Sequence, residues 1–408
     1  MSDFFQNGAI TTLHRLGTRS LEGLEADLAE HIKVNPIALI LPCLITELEG
    51  PALGPIVRHL AEVRYIEEIV VALGRADRHQ FEFARRFFAP LGSRCRIIWI
   101  EGPHVQECIR LLEQNELRIG PPGKGRATWL SIGYVLAGGQ CSVIGLHDCD
   151  ILTYDRELPG RLLYPLADPS LGFEYSKGYY PRFTDRLNGR VTRLFLTPLV
   201  RSLTKLLGPV PFLEYLDSFR YPLAGEFAMH VNLARSVRIP GDWGLEVGML
   251  AEVYRNTSIR RICQVDITQN YDHKHQPLSP DDASRGLNRM AQDICTSLLR
   301  TLAMEGEVFG SGFYTSLKVS YLRAAQDAVR SYHDVAAING LNFDRHEETM
   351  AVEVFSRALG RARENFEADP LAFGGLPNWN RVTAAIPDFI EHYRAGIDAD
   401  NKSKQGNR

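Results

Sequence analysis

Apolar residues recur along this chain in two rhythms. Short apolar runs at Ile37-Ala-Leu-Ile-Leu41, Ile66-Glu-Glu-Ile-Val-Val-Ala-Leu73, Arg96-Ile-Ile-Trp-Ile100 and Ser142-Val-Ile-Gly-Leu146 have the length and composition of buried strands. Pro42 is read as the end of the first. Between them, 52–64, 79–90, 104–116 and 125–137 read as helices. Strands alternating with helices predict an α/β fold, a mostly parallel sheet flanked by crossover helices. Leu21, Leu24, Leu28 and Ile32 share one helix face, which predicts a helical arm over 1–35. Further strands are expected near 171–177 and 261–267. Past 280 the rhythm is helical, with Pro280-Asp-Asp-Ala-Ser opening a helix and apolar faces over 287–303, 314–332, 347–363 and 382–393. The expected organisation is an arm at 1–35, a sheet domain at 36–280, a helical extension at 281–400 and a frayed polar tail at 401–408.

Composition narrows this picture. The 408 residues are 45% apolar and 23% charged, as in ordinary globular proteins, which disfavours disorder or a fibre. Forty-six Lys and Arg against 49 Asp and Glu give a net charge of −3, so broad nucleic-acid binding is not expected. No run approaches the ~20 apolar residues of a membrane span, and the start lacks a signal-peptide pattern. The seven cysteines are scattered without a C-x-x-C pair, which suggests reduced thiols, no zinc site and a cytoplasmic protein.

In a parallel sheet, ligands sit beyond the carboxyl ends of the strands. His147-Asp148-Cys149-Asp150 follows the fourth strand, and its two carboxylates suit a divalent cation that also holds a diphosphate, although a solvated acidic turn has the same look. Pro121-Pro-Gly-Lys-Gly125 leads into a helix, where Lys124 and the helix amides favour an anion, but the spacing is not that of a P-loop. His273-Lys-His275 offers imidazoles to a metal or a phosphate. Glu226 and Glu246 are acids set among apolar and glycine neighbours. In Asn188-Gly-Arg-Val-Thr192, an amide at Gly189, the Arg190 guanidinium and the Thr192 hydroxyl can cradle a small oxyanion; an ordinary helix start is the alternative.

In order, Leu41-Pro-Cys-Leu44, Pro122-Gly-Lys-Gly125, Asp148-Cys-Asp150, Gly189-Arg-Val-Thr192, Gly225-Glu-Phe227, Gly244-Leu-Glu-Val-Gly248, and His273 ahead of Gln276-Pro-Leu278 resemble the motifs of the retaining glycosyltransferases that make glucosyl-3-phosphoglycerate and mannosyl-3-phosphoglycerate. The resemblance covers roughly 36–280. It implies an A-type glycosyltransferase fold with a Rossmann-like sheet, a nucleotide-sugar donor (UDP- or GDP-glucose), 3-phosphoglycerate as acceptor, Mg2+ or Mn2+, and a homodimer. Matching positions imply that Asp150 and His273 hold the metal. Pro42, Leu44, Glu47, Lys124, Asp148 and Cys149 would meet the donor. Gly189, Arg190, Thr192 and His275 would meet the acceptor, and Glu246, with Lys124 and Asp148, would serve the transfer.

Two positions depart from the family. Its Asp-Ser-Gly-Ser-Thr-Asp turn is Ala72-Leu-Gly-Arg-Ala-Asp77 here, which leaves the base open between UDP and GDP. The family Asn two residues after the metal His is His275, which keeps glycerate open as acceptor. Rival readings are a mannosyl-3-phosphoglycerate or glucosylglycerate synthase, a metal-dependent nucleotidyltransferase, a glycosidase with Glu226 and Glu246 as its carboxylate pair, and a non-catalytic metabolite-binding module.

Overall fold

The structure, a computed structural model, describes residues 6, 8–241, 244–273, 286–371 and 375–402. Its strands are β1 (Thr11–Leu13), β2 (Ile37–Leu44), β3 (Glu68–Gly74), β4 (Cys95–Trp99), β5 (Val143–Leu146), β6 (Tyr175–Tyr179), β7 (Phe227–His230) and β8 (Ile262–Asp266). In its first part the helices are α1 (Leu21–His31), α2 (Leu53–Glu62), α3 (Arg78–Phe87), α4 (Pro103–Gln114), α5 (Lys124–Gly138) and α6 (Glu157–Ala167). Then come α7 (Thr197–Leu207), α8 (Pro211–Asp217), α9 (Val231–Ser236) and α10 (Leu245–Asn256). The remainder is α11 (Gly286–Met304), α12 (Phe313–Ile338), α13 (Arg345–Ala368), α14 (Trp379–Ala385) and α15 (Phe389–Asn401).

The strands form one sheet in the order β1-β8-β6-β7-β5-β2-β3-β4, and every pairing is parallel except the two made by β7. Alternation along each strand fills two cores, one on each face of the sheet. Ala38, Ile40, Val70 and Ala72 face the core shared with α4, α5, α15 and the C-terminal helices. Ile37, Leu39, Leu41, Ile69, Val71 and Leu73 face the core of α1, α2, α3 and α6. The antiparallel β7 has a positional consequence. Leu146 at the end of β5 pairs with Phe227 at the start of β7, so the segment entering β7 lies at the carboxyl ends of the parallel strands.

Several expectations change. Pro42 does not end its strand: β2 continues to Leu44. The Ile40 carbonyl accepts from His147 N, so the peptide groups of Ile40 and Pro42 point toward β5. The β2–β5 pairing ends at Ile40 with Leu146, so the missing amide of Pro42 leaves no gap in the ladder. The arm is not wholly helical, because Thr11–Leu13 pairs as an edge strand on β8. The helical rhythm over 382–393 belongs to two helices, α14 and α15, with Pro387 between them, since proline cannot continue a helix interior. Asn401, assigned to the frayed tail, ends α15. Its side chain accepts from Ile97 N at 3.0 Å and donates to Ile97 O at 2.8 Å, covering the exposed edge of β4 as another strand would. Residues 280–285, expected to open a helix, lie outside the described residues. All seven cysteines are free thiols. Among the described residues no helix is long and apolar enough to cross a membrane.

Candidate active site

The carboxyl ends of β2, β5, β6 and β8 and the amino end of β7 converge on a cluster of charged side chains. Lys124 is the first residue of α5, entered from Gly123 in extended backbone. Its ammonium lies 2.7 Å from Asp148 Oδ1 and 3.2 Å from Glu246 Oε1. Asp148 comes from the exit of β5, and Glu246 from the first turn of α10, where the helix dipole favours an acid. Gly225 closes the arrangement. A β-carbon there would collide with the Asp148 carboxylate and crowd the Lys124 ammonium, so only glycine lets the backbone ahead of β7 come this near. Burial pulls the Lys124 ammonium down, but Asp148 and Glu246 more than reverse this and hold it above the ordinary lysine value. Burial likewise pushes Asp148 up, and Lys124 brings it below the usual carboxylate range.

Asp150 and His273, 123 positions apart by number, meet because their segments zip together. Ile151 and His273 form an antiparallel bridge, and Leu152 N donates to Asp272 O at 2.8 Å. His273 Nδ1 then lies 3.4 Å from Asp150 Oδ2. Among the described residues no group of three or more His, Cys, Asp and Glu side chains is placed to hold a metal. The pair nevertheless fits a divalent cation, because Mg2+-type sites take one or two protein ligands and complete their shell with substrate phosphates and water. The charge points the same way: Lys124 and Lys177 stand against Asp148, Asp150, Glu226 and Glu246.

Glu226 is 0% exposed, and its two oxygens accept from Tyr180 Oη at 2.5 Å and Tyr271 Oη at 2.6 Å. Those rings stack with centroids 3.9 Å apart. Burial and then the Asp148 carboxylate raise the Glu226 acid, while both tyrosines oppose the rise. A carboxylate sealed in this way cannot attack or protonate a sugar, so the Glu226–Glu246 glycosidase reading fails. Glu226 instead braces Tyr271, two residues ahead of His273.

Of the residues expected to meet the donor, Pro42 and Leu44 lie at the end of β2, Leu44 exposed, and Glu47 sits in the 3-10 turn Ile45–Glu49. Cys149 is buried. A hydrogen bond to Cys43, then burial, hold its thiol well up, so the backbone is what Cys149 offers to a ligand.

The 188–192 segment joins the cluster through aromatic rings. Tyr221 lies against Gly189 and packs on Tyr180 with centroids 5.1 Å apart; Tyr180 stacks on Tyr271, and Tyr271 meets His273 edge-on at 5.4 Å. Gly189 has φ 75°, the left-handed conformation glycine adopts without strain, and a π-helical turn follows at Val191–Leu196. Thr192 Oγ1 is buried without a hydrogen-bond partner among the described residues. Arg190 is ion-paired: Nε meets Glu348 Oε1 at 2.6 Å and Nη2 meets Glu347 Oε1 at 2.8 Å, both acids from α13. His275 lies outside the described residues.

Some contributors escaped the sequence reading. Lys177 is 1% exposed in the middle of β6, donating to Ala224 O at 2.6 Å, and burial holds its ammonium down to about 8. A lysine among Tyr175, Ser176, Gly178 and Tyr179 was the available signal, because strand positions buried on both faces rarely carry one. Glu348 gave no signal, since Glu347-Glu348 reads as ordinary acids in a helix's first turn.

No family model matches the chain. A glucosyl-3-phosphoglycerate synthase of Persephonella marina is 47% identical over 401 residues, covering 98% of this chain and 99% of that one. Another, of Methanococcoides burtonii, is 36% identical over 411 residues and covers 98% of both chains. Among solved structures, glucosyl-3-phosphoglycerate synthase from Mycobacterium tuberculosis with Mg2+ and UDP superimposes with a TM-score of 0.53 at 22% identity, over 74% of this chain and 89% of that one. The same enzyme with Mn2+, UDP-glucose and phosphoglyceric acid gives 0.53 as well. At that identity the likeness speaks to the fold alone, and it matches the A-type glycosyltransferase sheet seen here.

Proposed function

The chain belongs to the glucosyl-3-phosphoglycerate synthase family of glycosyltransferases, and from that premise we propose that it transfers glucose from UDP-glucose to 3-phosphoglycerate with retention at the anomeric carbon. The observation that carries this reading is the Lys124 bridge between Asp148 and Glu246, set beside the Asp150–His273 pair at the carboxyl ends of the strands. Asp150 and His273 would hold Mg2+ or Mn2+, which supplies neutralisation of the departing diphosphate when bound.

Lys124 adds a fixed positive charge for the same leaving group, already oriented by its two carboxylates. Pro42, Leu44, Glu47, Asp148 and the Cys149 backbone hold the donor. The Gly189 amide, Arg190 and Thr192 hold the acceptor phosphate, and His275 belongs to the same acceptor set. Binding at both ends sets the acceptor hydroxyl against the anomeric carbon. Glu246 orients the sugar or the acceptor. We assign no nucleophile. The new bond forms from the acceptor oxygen to the anomeric carbon on the face from which the phosphate leaves, and the departing phosphate oxygen takes the hydroxyl proton.

A second donor, GDP-glucose, is kept in the test by one feature. The turn of the family's uridine-binding enzymes has a different sequence here, Ala72-Leu-Gly-Arg-Ala-Asp77, with Arg75 at φ 61° and Ala76 N donating to Glu101 at 3.3 Å. A matrix of UDP-glucose, GDP-glucose and GDP-mannose against 3-phosphoglycerate and D-glycerate, with and without chelator, tests the reading. Chelator-sensitive transfer from UDP-glucose to 3-phosphoglycerate is expected. Full activity in excess chelator, or no transfer from any donor, ends it. A homodimer built with the helices after 280 and the N-terminal arm belongs to the same proposal, and a monomer mass by light scattering at micromolar concentration would remove it.

A further inference from the structure

We infer that Glu348, on helix α13 of the C-terminal extension, is a positioning residue for the acceptor: its carboxylate holds Arg190 in the orientation that receives the acceptor's phosphate. This rests on the proposal that Gly189, Arg190 and Thr192 bind that phosphate.

Glu348 is 4% exposed, and both of its oxygens are used. Oε1 accepts from Arg190 Nε at 2.6 Å, and Oε2 accepts from Arg193 Nη2 at 3.0 Å. Arg193 in turn donates from Nε to Asn188 O at 2.9 Å and from Nη2 to Leu187 O at 3.1 Å. One buried carboxylate therefore ties the Arg190 guanidinium to the loop that carries the Gly189 amide. It also separates two guanidinium charges that would otherwise repel. With Nε on Glu348 and Nη2 on Glu347, the Nη1 edge of Arg190 makes no hydrogen bond to the described residues.

The segment is also pinned from α12 and from the turn that leads into α13. Asn342, in the turn between α12 and α13, donates its amide to Asp185 O at 2.8 Å and forms a bridge with Arg186. Tyr321 Oη donates to Leu194 O at 2.9 Å, and the Arg193 guanidinium lies 4.9 Å from the centre of the Tyr332 ring. Buried polar atoms without hydrogen-bond partners among the described residues gather along the held segment: Asn188 Nδ2, Thr192 Oγ1 and Arg193 Nη1. Unsatisfied buried groups are uncommon enough to need a reason, and a polar ligand at the segment is one. A free arginine side chain loses rotamer freedom when it binds an anion, whereas one restrained at Nε and Nη2 has lost it beforehand. On this account the C-terminal helices contribute to acceptor affinity through a residue that never touches acceptor.

Steady-state kinetics of the full chain, varying UDP-glucose and 3-phosphoglycerate separately in Mn2+, test this with Glu348→Gln, Arg190→Ala and the double variant. Glu348→Gln should raise the 3-phosphoglycerate KM roughly tenfold, the scale of one charge-assisted hydrogen bond, with kcat and the donor KM within about twofold. The double variant should be no worse than Arg190→Ala, since Glu348 acts through Arg190. D-Glycerate, which lacks the phosphate, should show the same KM in Glu348→Gln as in the wild type. An unchanged acceptor KM in Glu348→Gln while Arg190→Ala still loses acceptor overturns the inference and leaves the acceptor site standing. Equal rises in donor and acceptor KM overturn it too, since they mean general loosening. If Arg190→Ala itself leaves the acceptor KM unchanged, the acceptor reading fails and takes the inference with it. Should the glutamine variant not bind UDP in calorimetry, Glu348→Asp, which keeps the charge but withdraws it by one methylene, replaces it with a smaller rise expected.

Discussion

The proposed donor and acceptor halves of the candidate site are built in different ways. The donor half is assembled at strand ends: Asp148 and Asp150 leave β5, Lys124 opens α5, and β7 brings Gly225 against them. The sheet sets these positions, and each side chain answers to a neighbour on the same layer. The acceptor half hangs on a loop and a π-helical turn whose polar groups are held from outside the sheet by α12 and α13. A site drawn from strand ends inherits the rigidity of the ladder. One drawn from a loop must be made rigid by whatever packs on it. Mutations in the first should therefore act on turnover, and mutations in the second on acceptor binding.

The largest effect is expected at the donor half. Asp150→Ala should lower kcat by roughly three orders of magnitude, as the diphosphate would leave without its counter-charge. Calorimetry should show UDP binding that no longer depends on Mn2+. A kcat within tenfold of the wild type would break the division between the halves. Lys124→Met comes next, with kcat down roughly a hundredfold, because Asp148 and Glu246 are left facing one another without their common cation. The acceptor KM should hold within a few-fold, which initial-rate kinetics can check.

Arg190→Ala should do the reverse. The 3-phosphoglycerate KM should rise by roughly one to two orders of magnitude, with little change in the donor KM. If wild type uses glycerate as well as 3-phosphoglycerate and the variant alters neither, the acceptor half is wrongly placed.

The smallest expected effect lies behind the donor half and reads stability. Lys177 has its pKa held down to about 8 by burial, against 10.5 ordinarily. Between those values the unfolded lysine carries a proton that the native one lacks, so stability from this group rises with pH through that window. From pH 7 to 9.5 the gain is about 2 kcal/mol. Denaturant unfolding of wild type and Lys177→Met at both pH values reads it as the difference in pH dependence between the two proteins. An identical pH dependence in the two proteins would mean that Lys177 is not desolvated.

Legibility followed the same division. Asp148, Asp150 and Lys124 could be found from the sequence because each follows an apolar run or opens a helix, and strand ends are where ligands gather. The partnership of Asp150 with His273 came only from family resemblance, since nothing local to either residue announces the other. The short strands β1 and β7 escaped notice: Thr11–Leu13 is too short to establish a period, and Phe227–His230 runs without a break into the helix that starts at Val231. Missing β7 hid the reason Gly225-Glu226 belongs to the site at all. Glu226 stood out as an acid among apolar neighbours, yet only packing revealed that Tyr180 and Tyr271 occupy both its oxygens.

What the sequence by itself determined is the α/β alternation, the helical C-terminal part and the strand-end residues of the donor half. Those follow from the periodicity of burial and from the backbone chemistry of Gly and Pro, which act over a few residues. What only the tertiary structure decided is which distant groups meet. The antiparallel entry of β7, the pairing of Asp150 with His273, the sealing of Glu226 and the grip of Glu348 on Arg190 are all of this kind. Such contacts join positions tens to more than a hundred residues apart. Their partners are chosen by how whole elements pack against one another, and that packing has no period a local window can contain.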